Sequence, residues 1–372
     1  MIKKIFKIIQ TKKIFTKPQK KKFLILDSSN WFIFNNYLNL NEVEVLNVRY
    51  ESLNLFILLK IILKLKFSMK EYIIEYIRAV SCKYIITFID NNVICYELKD
   101  LFPNIKIIVI QNGMRTQFFF DDLAKKKDLK TDYLLTFSEF YSSKFSEVVK
   151  GKFIPIGSFK NNLIEKKDNL SKKKSVSFIS SGPLNFEKVS IYQKIKMPMN
   201  DYYSPEKYIL PILKKYCNQK NLDLNILCRS KSIKNLSFEK SFYEEILEKN
   251  NFQIIETFNY KDIYNLSDIS TVNVSIYSAF GLECLARGNR TVILNVRDLI
   301  TKIDSLKVFW STRKIKDKGF FWTNEISEKE IFRVLDNSIN SSDEKWRENL
   351  SDIMPRLTNF DKNNAVFKNL LI

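Results

Sequence analysis

The segment VNVSIYSAFGLECLARGNRTVILN, residues 272–295, contains residue types that bind phosphates and sugars. An apolar run predicts a strand that ends near Ser275, and a helix is expected to begin near Ser278. The start of such a helix presents unpaired N–H groups and the positive end of its dipole. Gly281 would let a ligand approach the backbone, and Glu283 could accept hydrogen bonds from sugar hydroxyls. This spacing predicts a site for a nucleotide phosphate, with an ordinary Ser-capped helix as the alternative.

Small polar residues also follow nearly all of the remaining predicted strands. Ligands of open parallel sheets bind beyond the carboxyl ends of the strands, so these residues are expected to line a cleft. The same residue types favour turns for local reasons, which is the alternative at each single position. In the second half of the chain, the additional candidates for binding a nucleotide are Ser180, Ser181, Gly182, Arg229 and Tyr277. In the first half, the candidates for binding a second substrate are Asn91, Gln111, Asn112, Gly113 and Arg115.

Three carboxylates at predicted strand ends are candidates for catalysis. The sequence contains no histidine, which excludes Ser-His-Asp and Cys-His catalysis and HExxH metal sites. Asp90 ends the apolar run KYIITFID and is the first candidate, with an Asx turn as the alternative. Asp27 and Glu139 are the other two. Because the DxD motif is also absent, we expect neither a bound metal nor another obligatory cofactor.

These candidates need two sheets to position them, and the chain predicts two α/β domains. Apolar runs without alternation are separated by helical stretches, one of them over residues 53–80. This pattern is typical of parallel sheets that are covered on both faces. The charged segment 163–175 lacks periodicity and is expected to be a linker. The predicted parts are an N-terminal domain, a second domain and a helical tail that could return to the first domain: 1–165, 175–325 and 326–372.

Composition narrows the class of protein. With 45% hydrophobic residues in 372, the chain is globular and long enough for two domains. Five cysteines without a CxxC pair argue against a disulfide framework or a zinc site and indicate a reducing cytosol. The net charge of +20 has two explanations, which are codon bias and an anionic partner.

Basic and apolar residues also alternate at the N-terminus. Residues 1–22 hold nine lysines and no acid, and Ile2, Ile5, Phe6 and Ile9 fit one helical face. A second apolar run, 53–69, is interrupted by lysines and is too short to cross a bilayer. We therefore expect a cytoplasmic protein that lies on the inner face of the cytoplasmic membrane. A frayed tail that reflects codon bias is the alternative.

Several motifs between residues 80 and 325 carry a resemblance to a known superfamily. The stretches ITFIDNN, IVIQNGMR, IGSFKNN, SIYSAFGLECLARG and GFFWTNE resemble the surface-carbohydrate-biosynthesis proteins of bacteria, which are similar to GT-B glycosyltransferases. The resemblance implies an α/β fold with two Rossmann-like domains facing a central cleft. It also implies a nucleotide-sugar donor on the C-terminal domain, with its phosphate at the Ser/Gly helix start and its ribose near Glu283.

The sequence therefore predicts a metal-independent GT-B-type glycosyltransferase. It would move a sugar from a nucleotide donor to a surface glycan or a lipid-linked acceptor. The resemblance extends to capsule and lipopolysaccharide transferases, and it implies a CMP-linked acidic sugar as one such donor. Two other enzymes fit the same scaffold, namely a polyol-phosphate transferase and a nucleotide-sugar epimerase. A basic nucleic-acid-binding protein is the non-enzyme alternative, but no helix-turn-helix, zinc or RNP-type motif supports it, so no nucleic-acid partner is expected.

Overall fold

A computed structural model of the chain describes residues 11–49, 51–166, 172–183, 189–192, 195–230, 232–248, 251–257, 259–276, 278–302 and 315–372. The chain forms two compact units. Unit 1 comprises Met1–Met114, Phe120–Lys160 and Asn364–Ile372. Unit 2 comprises Arg115–Phe119 and Asn161–Asn363.

The first 162 residues contain eight described strands and six described α-helices. The strands are β1 Lys12–Ile14, β2 Phe23–Leu26, β3 Val43–Leu46, β4 Ser52–Asn54, β5 Tyr84–Thr87, β6 Lys106–Ile110, β7 Lys130–Thr136 and β8 Lys150–Pro155. The helices are α1 Leu55–Leu63, α2 Met69–Val80, α3 Ile94–Glu97, α4 Gln117–Ala124, α5 Glu139–Ser146 and α6 Phe159–Asn162.

Six of these strands form the parallel sheet of unit 1, in the order β3-β2-β5-β6-β7-β8. The central strands are apolar without alternation because both faces of the sheet are covered. Residues Ile107–Ile110 of β6, for example, have no exposed surface. All six strands end at the same edge, so the polar residues that follow them lie along that edge.

The predicted helical stretch over 53–80 is interrupted, and this prediction is wrong in detail. Asn54 ends β4 and caps α1, because its side chain accepts a hydrogen bond from the N–H of Ile57 at 3.2 Å. Helix α1 ends at Leu63, and Ser68 caps a second helix, α2, by accepting from the N–H of Glu71 at 3.1 Å. Two local caps therefore divide what the apolar pattern joined.

Unit 2 contains a second sheet and most of the C-terminal helices. The remaining described strands are β9 Lys173–Ile179, β10 Val189–Tyr192, β11 Ile195–Pro198, β12 Asp223–Leu227, β13 Gln253–Ile255, β14 Ser270–Ser275, β15 Thr291–Leu294 and β16 Trp322–Thr323. The helices are α7 Met199–Tyr202, α8 Ser204–Lys220, α9 Ile233–Leu247, α10 Tyr260–Ile269, α11 Ala279–Ala286, α12 Arg297–Thr301, α13 Glu328–Asn340, α14 Asp343–Ser351, α15 Met354–Leu357 and α16 Ala365–Leu370.

The sheet of unit 2 is parallel and has the order β13-β12-β9-β14-β15-β16. Counted from its first strand in the chain, this order is 3-2-1-4-5-6, as in a doubly wound dinucleotide-binding sheet. The chain leaves β9 towards β12 on one side and later returns to β14 on the other side. The strand order therefore reverses between β9 and β14, where sheets of this type bind ligands.

The C-terminal helices complete the core of unit 2 and then reach unit 1. Ile331, Val334 and Leu335 of α13 are fully buried and pack in one cluster with Val274 and Val292 of the sheet. Their spacing of three and four residues places them on one face of the helix. Helix α16 belongs to unit 1, where the Phe367 ring packs against Phe34 and Phe159.

Candidate functional site

The two strands at the reversal point of unit 2 end in serines. In the ladder between β9 and β14, Ile179 lies opposite Ser275. Ser180 and Ser181 follow β9 directly, and Ser275 is the last residue of β14. The structure therefore brings together two groups of predicted site residues that lie about a hundred positions apart in the sequence. Tyr277, which was also predicted for this site, lies outside the described residues.

Helix α11 begins immediately beyond β14, as the sequence predicted. Ser278 is its N-cap, and the Ser278 hydroxyl accepts a hydrogen bond from the N–H of Phe280 at 3.2 Å. Ser278 is half-buried, so the first turn of the helix is accessible at this end of the sheet. A capped helix start next to a reversal point is a favourable place for an anion, because the N–H groups and the helix dipole point towards it.

The structure gives a different physical reason for a glycine at position 281 from the one that the sequence predicted. A Cβ added at Gly281 would stand 2.6 Å from the Cβ and 2.7 Å from the Oγ of Ser275. It would also stand 3.3 Å from the Cδ1 of Ile293 in β15. The glycine is therefore needed for close packing of α11 against the sheet, and the space beside it is filled by protein instead of open to a ligand. Ser275 is 1% exposed and serves as the surface on which the helix lies.

The carboxylate of Glu283 is held by a tyrosine. Tyr264 of α10 donates its hydroxyl hydrogen to Glu283 Oε2, and its ring packs edge-on against Phe280 at 5.0 Å between centroids. Burial, and then the neighbouring charge of Glu283, raise the pKa of Tyr264 well above its ordinary value, so the phenol stays protonated as the donor. Glu283 itself is half-buried on the third position after Phe280. Its orientation is thus fixed before any ligand binds.

The far end of α11 is anchored by an ion pair. Arg287 is the C-cap residue, and its Nε donates to Asp268 Oδ1 of α10 at 2.8 Å. Asn289 donates to the same oxygen at 2.7 Å, and both side chains of the ion pair are 1% exposed. A cation at the C-terminus of a helix also interacts favourably with the negative end of the helix dipole. Because α11 is held at both ends, its N-terminal turn has a fixed position above β14.

A buried glutamate that the sequence did not reveal organises the loops after β9 and β12. Glu239 of α9 has no exposed surface and accepts hydrogen bonds from the N–H of Arg229 at 2.9 Å and of Ser230 at 2.8 Å. Ser180 donates its hydroxyl to the same carboxylate and accepts from the N–H of Gly182 at 2.9 Å. Buried carboxylates persist when they accept several such bonds. Nothing in the local pattern KNLSFEKSF distinguishes Glu239 from an exposed helical acid.

Arg229 lies on the accessible side of these loops. It is exposed, and one of its terminal nitrogens donates to the carbonyl oxygen of Ser181 at 3.2 Å. Gly182 has a φ of +73°, and a Cβ there would meet the Arg229 side chain at 3.1 Å. The left-handed backbone and the close arginine both favour glycine at this position. The predicted residues Ser180, Ser181, Gly182 and Arg229 therefore form one connected group.

A second buried arginine, Arg297, contacts the residues that follow β9, and the sequence did not reveal its role either. It begins α12 after β15, and its NH2 group donates to Ser181 Oγ at 3.1 Å and to Glu206 Oε1 at 2.8 Å. The Arg297–Glu206 pair is at most 1% exposed, and the Tyr202 ring lies 4.4 Å from the guanidinium. Since Glu206 neutralises the charge of Arg297, we expect this arginine to position Ser181 and the loop after β9, and not to bind an anion.

Among the predicted catalytic carboxylates, Asp27 is buried at a strand end of unit 1. Asp27 follows β2, has a φ of +80° and is 1% exposed. Its Oδ2 forms an ion pair with Arg49 Nε at 2.8 Å, and its Oδ1 accepts from the N–H of Ser29 at 2.9 Å. Both oxygens of Asp27 are therefore engaged in holding the loop that follows the strand.

Asp90 is fully buried and bridges two neighbouring strand ends. Its Oδ1 accepts a hydrogen bond from the N–H of Asn112 at 3.0 Å. Gln111 acts in a similar way, because its amide donates to the carbonyl of Gly113 at 2.8 Å and accepts from the N–H of Phe137 at 2.8 Å. These side chains fasten the ends of β5, β6 and β7 to one another. The bond between Asp90 and Asn112 spans 22 positions and the bond between Gln111 and Phe137 spans 26, so neither is the local turn contact that was the alternative.

The other predicted residues of this half are more accessible. Asn91 and Glu139 are exposed, and Glu139 is the first residue of α5, three positions after the last residue of β7. Asn112, Gly113 and Arg115 are half-buried. The Arg115 guanidinium lies 5.4 Å from the centroid of the Phe119 ring, within the segment Arg115–Phe119 that belongs to unit 2. It is therefore grouped with unit 2 and not with the strand ends after which it was predicted.

The described part of the chain offers neither a metal cluster nor a membrane-spanning helix. Among the described residues, no group of three or more His, Cys, Asp and Glu side chains is placed to hold a metal ion. Within the same part of the chain, no helix is long and apolar enough to cross a bilayer. Independence from metals stays a prediction.

Comparisons with known proteins identify the kind of molecule. The sequence model of a family described as O-antigen biosynthesis proteins matches residues 108–372, more than two thirds of the chain. The wall teichoic acid polymerase TagF has a similar structure, with a TM-score of 0.52, 13% identity, and coverage of 95% of this chain and 89% of that chain. Anabaena HepE, solved in complex with UDP and glucose, gives a TM-score of 0.50, 11% identity, and coverage of 95% and 100%. None of the curated proteins searched matches the sequence.

The comparisons confirm two predictions from the sequence. The likeness to TagF and HepE confirms an α/β fold of the GT-B type with two Rossmann-like domains. The family match confirms a role in the biosynthesis of surface carbohydrate.

Proposed function

This chain belongs to the family of O-antigen biosynthesis proteins, and we propose that it is a glycosyltransferase acting on a surface glycan. The observation that supports the proposal most is the meeting of the β9 and β14 strand ends with the capped start of α11. The half-buried Ser278 hydroxyl and Glu283 carboxylate lie there beside the N–H groups of the first turn of α11, within one unit. Such a combination suits a nucleotide-sugar donor better than a nucleic acid, because it is small and lies at a strand reversal.

The donor phosphates would lie at the N-terminus of α11. In glycosyl transfer the bond from the sugar to the phosphate breaks, and negative charge grows on the departing phosphate. The N–H groups of the first turn and the Ser278 hydroxyl would stabilise this charge. Arg229 is exposed beside Ser181 and would supply the cation, since Arg297 is already neutralised by Glu206.

The sugar hydroxyls of the nucleotide would contact Glu283. A carboxylate accepts two hydrogen bonds from neighbouring hydroxyls of a ribose, and the Tyr264 hydroxyl fixes one of its oxygens. A preorganised acceptor loses less conformational freedom on binding than a mobile one. The donor nucleotide would thus be held at its phosphates by the helix start and at its ribose by Glu283. We further propose a CMP-linked acidic sugar as the donor.

The burial of Asp90 and Asp27 changes which carboxylate we propose for catalysis. A general base must reach the acceptor hydroxyl, either directly or through one water molecule. Asp90 and Asp27 are at most 1% exposed and hold backbone groups, whereas Glu139 is exposed at the start of α5. We therefore assign the role of base to Glu139 and treat Asp90 and Asp27 as positioning residues. The half-buried Asn112 and the exposed Asn91 would contact the acceptor.

The acceptor is a glycan or a lipid-linked precursor in this proposal. Donors of this class are cytosolic, so the reaction would take place in the cytoplasm at the inner face of the cytoplasmic membrane. The reaction would need no metal, because the helix start and Arg229 carry the charge of the leaving phosphate.

A screen of nucleotides tests the proposal. Thermal melting with CMP-, UDP-, GDP- and CDP-linked ligands should show an increase in Tm for one nucleotide class. Ser278→Ala and Glu283→Gln should each weaken that ligand about 10- to 100-fold in calorimetry, because one hydrogen bond to a charged group contributes about 1.5–3 kcal/mol. Ser237→Ala, on the exposed face of α9, is the matched control and should bind as the wild type does.

The product then separates the alternatives. Mass spectrometry of the protein incubated with the donor and a membrane extract should show a glycosylated acceptor and free nucleotide. Transfer of a polyol phosphate, or interconversion of the donor without an acceptor, would support one of the two other enzymes. Absence of nucleotide binding, or equal affinity in all three variants, would overturn the donor site.

A further inference from the structure

Helix α1 and the loop after it expose an unusual amount of apolar surface. Eight of the nine residues of α1, LFILLKIIL, are apolar. Ile57 and Ile61 point into unit 1 and are at most 4% exposed. On the opposite side, Leu59 is 56% and Leu63 is 75% exposed. A helix that is apolar all round is normally buried, so the outer face of α1 is expected to be covered by something else.

The apolar surface continues into the loop and across to β1. Leu65 is 80% exposed with a φ of +54°, and Phe67 is 71% exposed. Phe15, just after β1, is 76% exposed. Thr16 holds this segment against the start of α1, because its carbonyl accepts from the side chain of Asn54 at 2.8 Å. We call this surface the apolar ridge; it consists of Phe15, Leu59, Ile62, Leu63, Leu65 and Phe67.

Lysines surround the apolar ridge. The segments 12–17 and 55–68 contain six lysines and no acidic residue: Lys12, Lys13, Lys17, Lys60, Lys64 and Lys66. Lys64 and Lys66 are paired with Glu75 and Glu71 of α2, at 2.7 Å and 3.4 Å. The Lys17 and Lys60 ammonium groups lie 5.9 Å and 5.1 Å from the centroid of the Phe56 ring. The border of the ridge therefore carries a net positive charge.

We propose that the apolar ridge inserts into the surface of an anionic lipid bilayer. The commitment to lipid follows from the charge, because an anionic headgroup layer complements the lysines while the acyl region accepts the leucines and phenylalanines. The helix is nine residues long and cannot span the bilayer, so it lies in the plane of the interface. The loop Lys64–Ser68 and Phe15 then reach the boundary between headgroups and acyl chains.

This docking is independent of the nucleotide site. The ridge belongs to unit 1, whereas the proposed donor residues belong to unit 2. It also differs from docking through residues 1–10, because every residue of the apolar ridge lies beyond residue 10. Loss of lipid binding with retained nucleotide binding would therefore leave the proposed function intact, and the reverse would leave the ridge intact.

Co-sedimentation with vesicles tests the proposal on the full chain. Vesicles of phosphatidylcholine with about one third phosphatidylglycerol should bind the wild type, and high salt should weaken the binding. The triple variant Leu63→Ser, Leu65→Ser, Phe67→Ser should bind at least 100-fold more weakly, because each apolar side chain contributes about a factor of ten. The matched control Tyr208→Ser, Ile233→Ser, Leu299→Ser removes exposed apolar residues of unit 2 and should bind as the wild type does.

Charge variants distinguish binding through the apolar ridge from binding through residues 1–10. Lys12→Gln, Lys17→Gln and Lys60→Gln together should reduce binding about 100-fold, at about fivefold for each lysine near an anionic surface. Lys3→Gln, Lys4→Gln and Lys7→Gln should leave most of the binding of the apolar ridge in place. Loss of binding in the tail variant with no loss in the ridge variants would overturn the proposal.

A fluorescent probe reports insertion directly. All five native cysteines are buried, so a cysteine introduced at an exposed position reacts selectively with an environment-sensitive dye. Labelled Leu65→Cys should shift to the blue on addition of anionic vesicles, whereas labelled Ile233→Cys should not. Equal shifts at both positions would refute docking through the ridge, and so would a wild-type dimer that the triple variant abolishes in analytical ultracentrifugation.

Discussion

Gly281→Ala is the substitution whose effect on the site helix follows most directly from geometry. Two terms oppose each other. Alanine is favoured over glycine inside a helix by about 1 kcal/mol, which would stabilise α11. Against this, the new Cβ would stand 2.6 Å from the Ser275 Cβ, a distance that no rotation of the serine side chain relieves. Overpacking of this kind costs about 1–3 kcal/mol, because backbone must move.

The second term should win. Ser275 is 1% exposed at the end of a central strand and cannot withdraw, so α11 would have to shift away from β14. We expect a net loss of up to about 2 kcal/mol in the free energy of unfolding, measured by urea denaturation. Adding Ser275→Gly, which removes the opposing Cβ, should recover much of the loss by coupling in a double-mutant cycle. Ser237→Ala on the exposed face of α9 should change stability by no more than about 0.5 kcal/mol.

The opposite result would refute the packing argument. If Gly281→Ala stabilised the protein by about 1 kcal/mol, helix propensity would be acting alone and α11 would not lie against Ser275. Nucleotide affinity gives a second test, since a shifted helix start moves the N–H groups of its first turn. Weaker binding of the nucleotide by Gly281→Ala, with recovery in the double variant, would connect the packing of the helix to the donor site.

Three further substitutions and one reagent test the remaining parts of the site and the core. The backbone N–H groups of Arg229 and Ser230 bond to different oxygens of Glu239, so Glu239→Gln sets an amide NH2 against one of them. The substitution should lower the free energy of unfolding by about 2–3 kcal/mol and weaken the binding of the nucleotide. Calorimetry that finds neither effect would contradict the positioning role of Glu239. Asp90→Ala should lower the free energy of unfolding by about 1–3 kcal/mol in denaturant. Glu139→Gln should keep the stability and the donor affinity of the wild type but lower kcat at least 100-fold. A turnover equal to that of the wild type would show that Glu139 is not the base. Burial raises the pKa of Cys82 and Cys217 to about 12, so a thiol reagent at pH 8 should titrate almost no cysteine in the native protein and five after denaturation; rapid reaction of the native protein would show that these thiols are accessible.

The pattern of the sequence predicted the sheets well, because their signal is local. Runs such as KIIVI in β6 are apolar without alternation, and this is sufficient to indicate a strand covered on both faces. The serine cap of α11 was equally local. The break between α1 and α2 was missed because apolar residues continue across it, and the capping roles of Asn54 and Ser68 depend on side-chain geometry.

The candidate site was predictable where it follows strands and not where it depends on packing. Ser180 and Ser275 are recognisable as residues at strand ends, and the parallel order of β9 and β14 then brings them together. Glu239 and Arg297 lie on helices, and their role arises from contacts with residues 59 and 116 positions away. Gly281 was assigned to a ligand because a sequence does not show that Ser275 already occupies the space beside it.

Hydrogen–deuterium exchange with the nucleotide identified in the screen tests the central claim most directly. If unit 2 binds the donor at the reversal of its sheet, the amides of residues 180–182, 229–230 and 278–283 should exchange more slowly when the nucleotide is bound. The strand ends of unit 1 at Asp27, Asp90 and Gln111 should keep their exchange rates in the absence of an acceptor. Protection confined to those strand ends, with no change at Ser278–Glu283, would contradict the account.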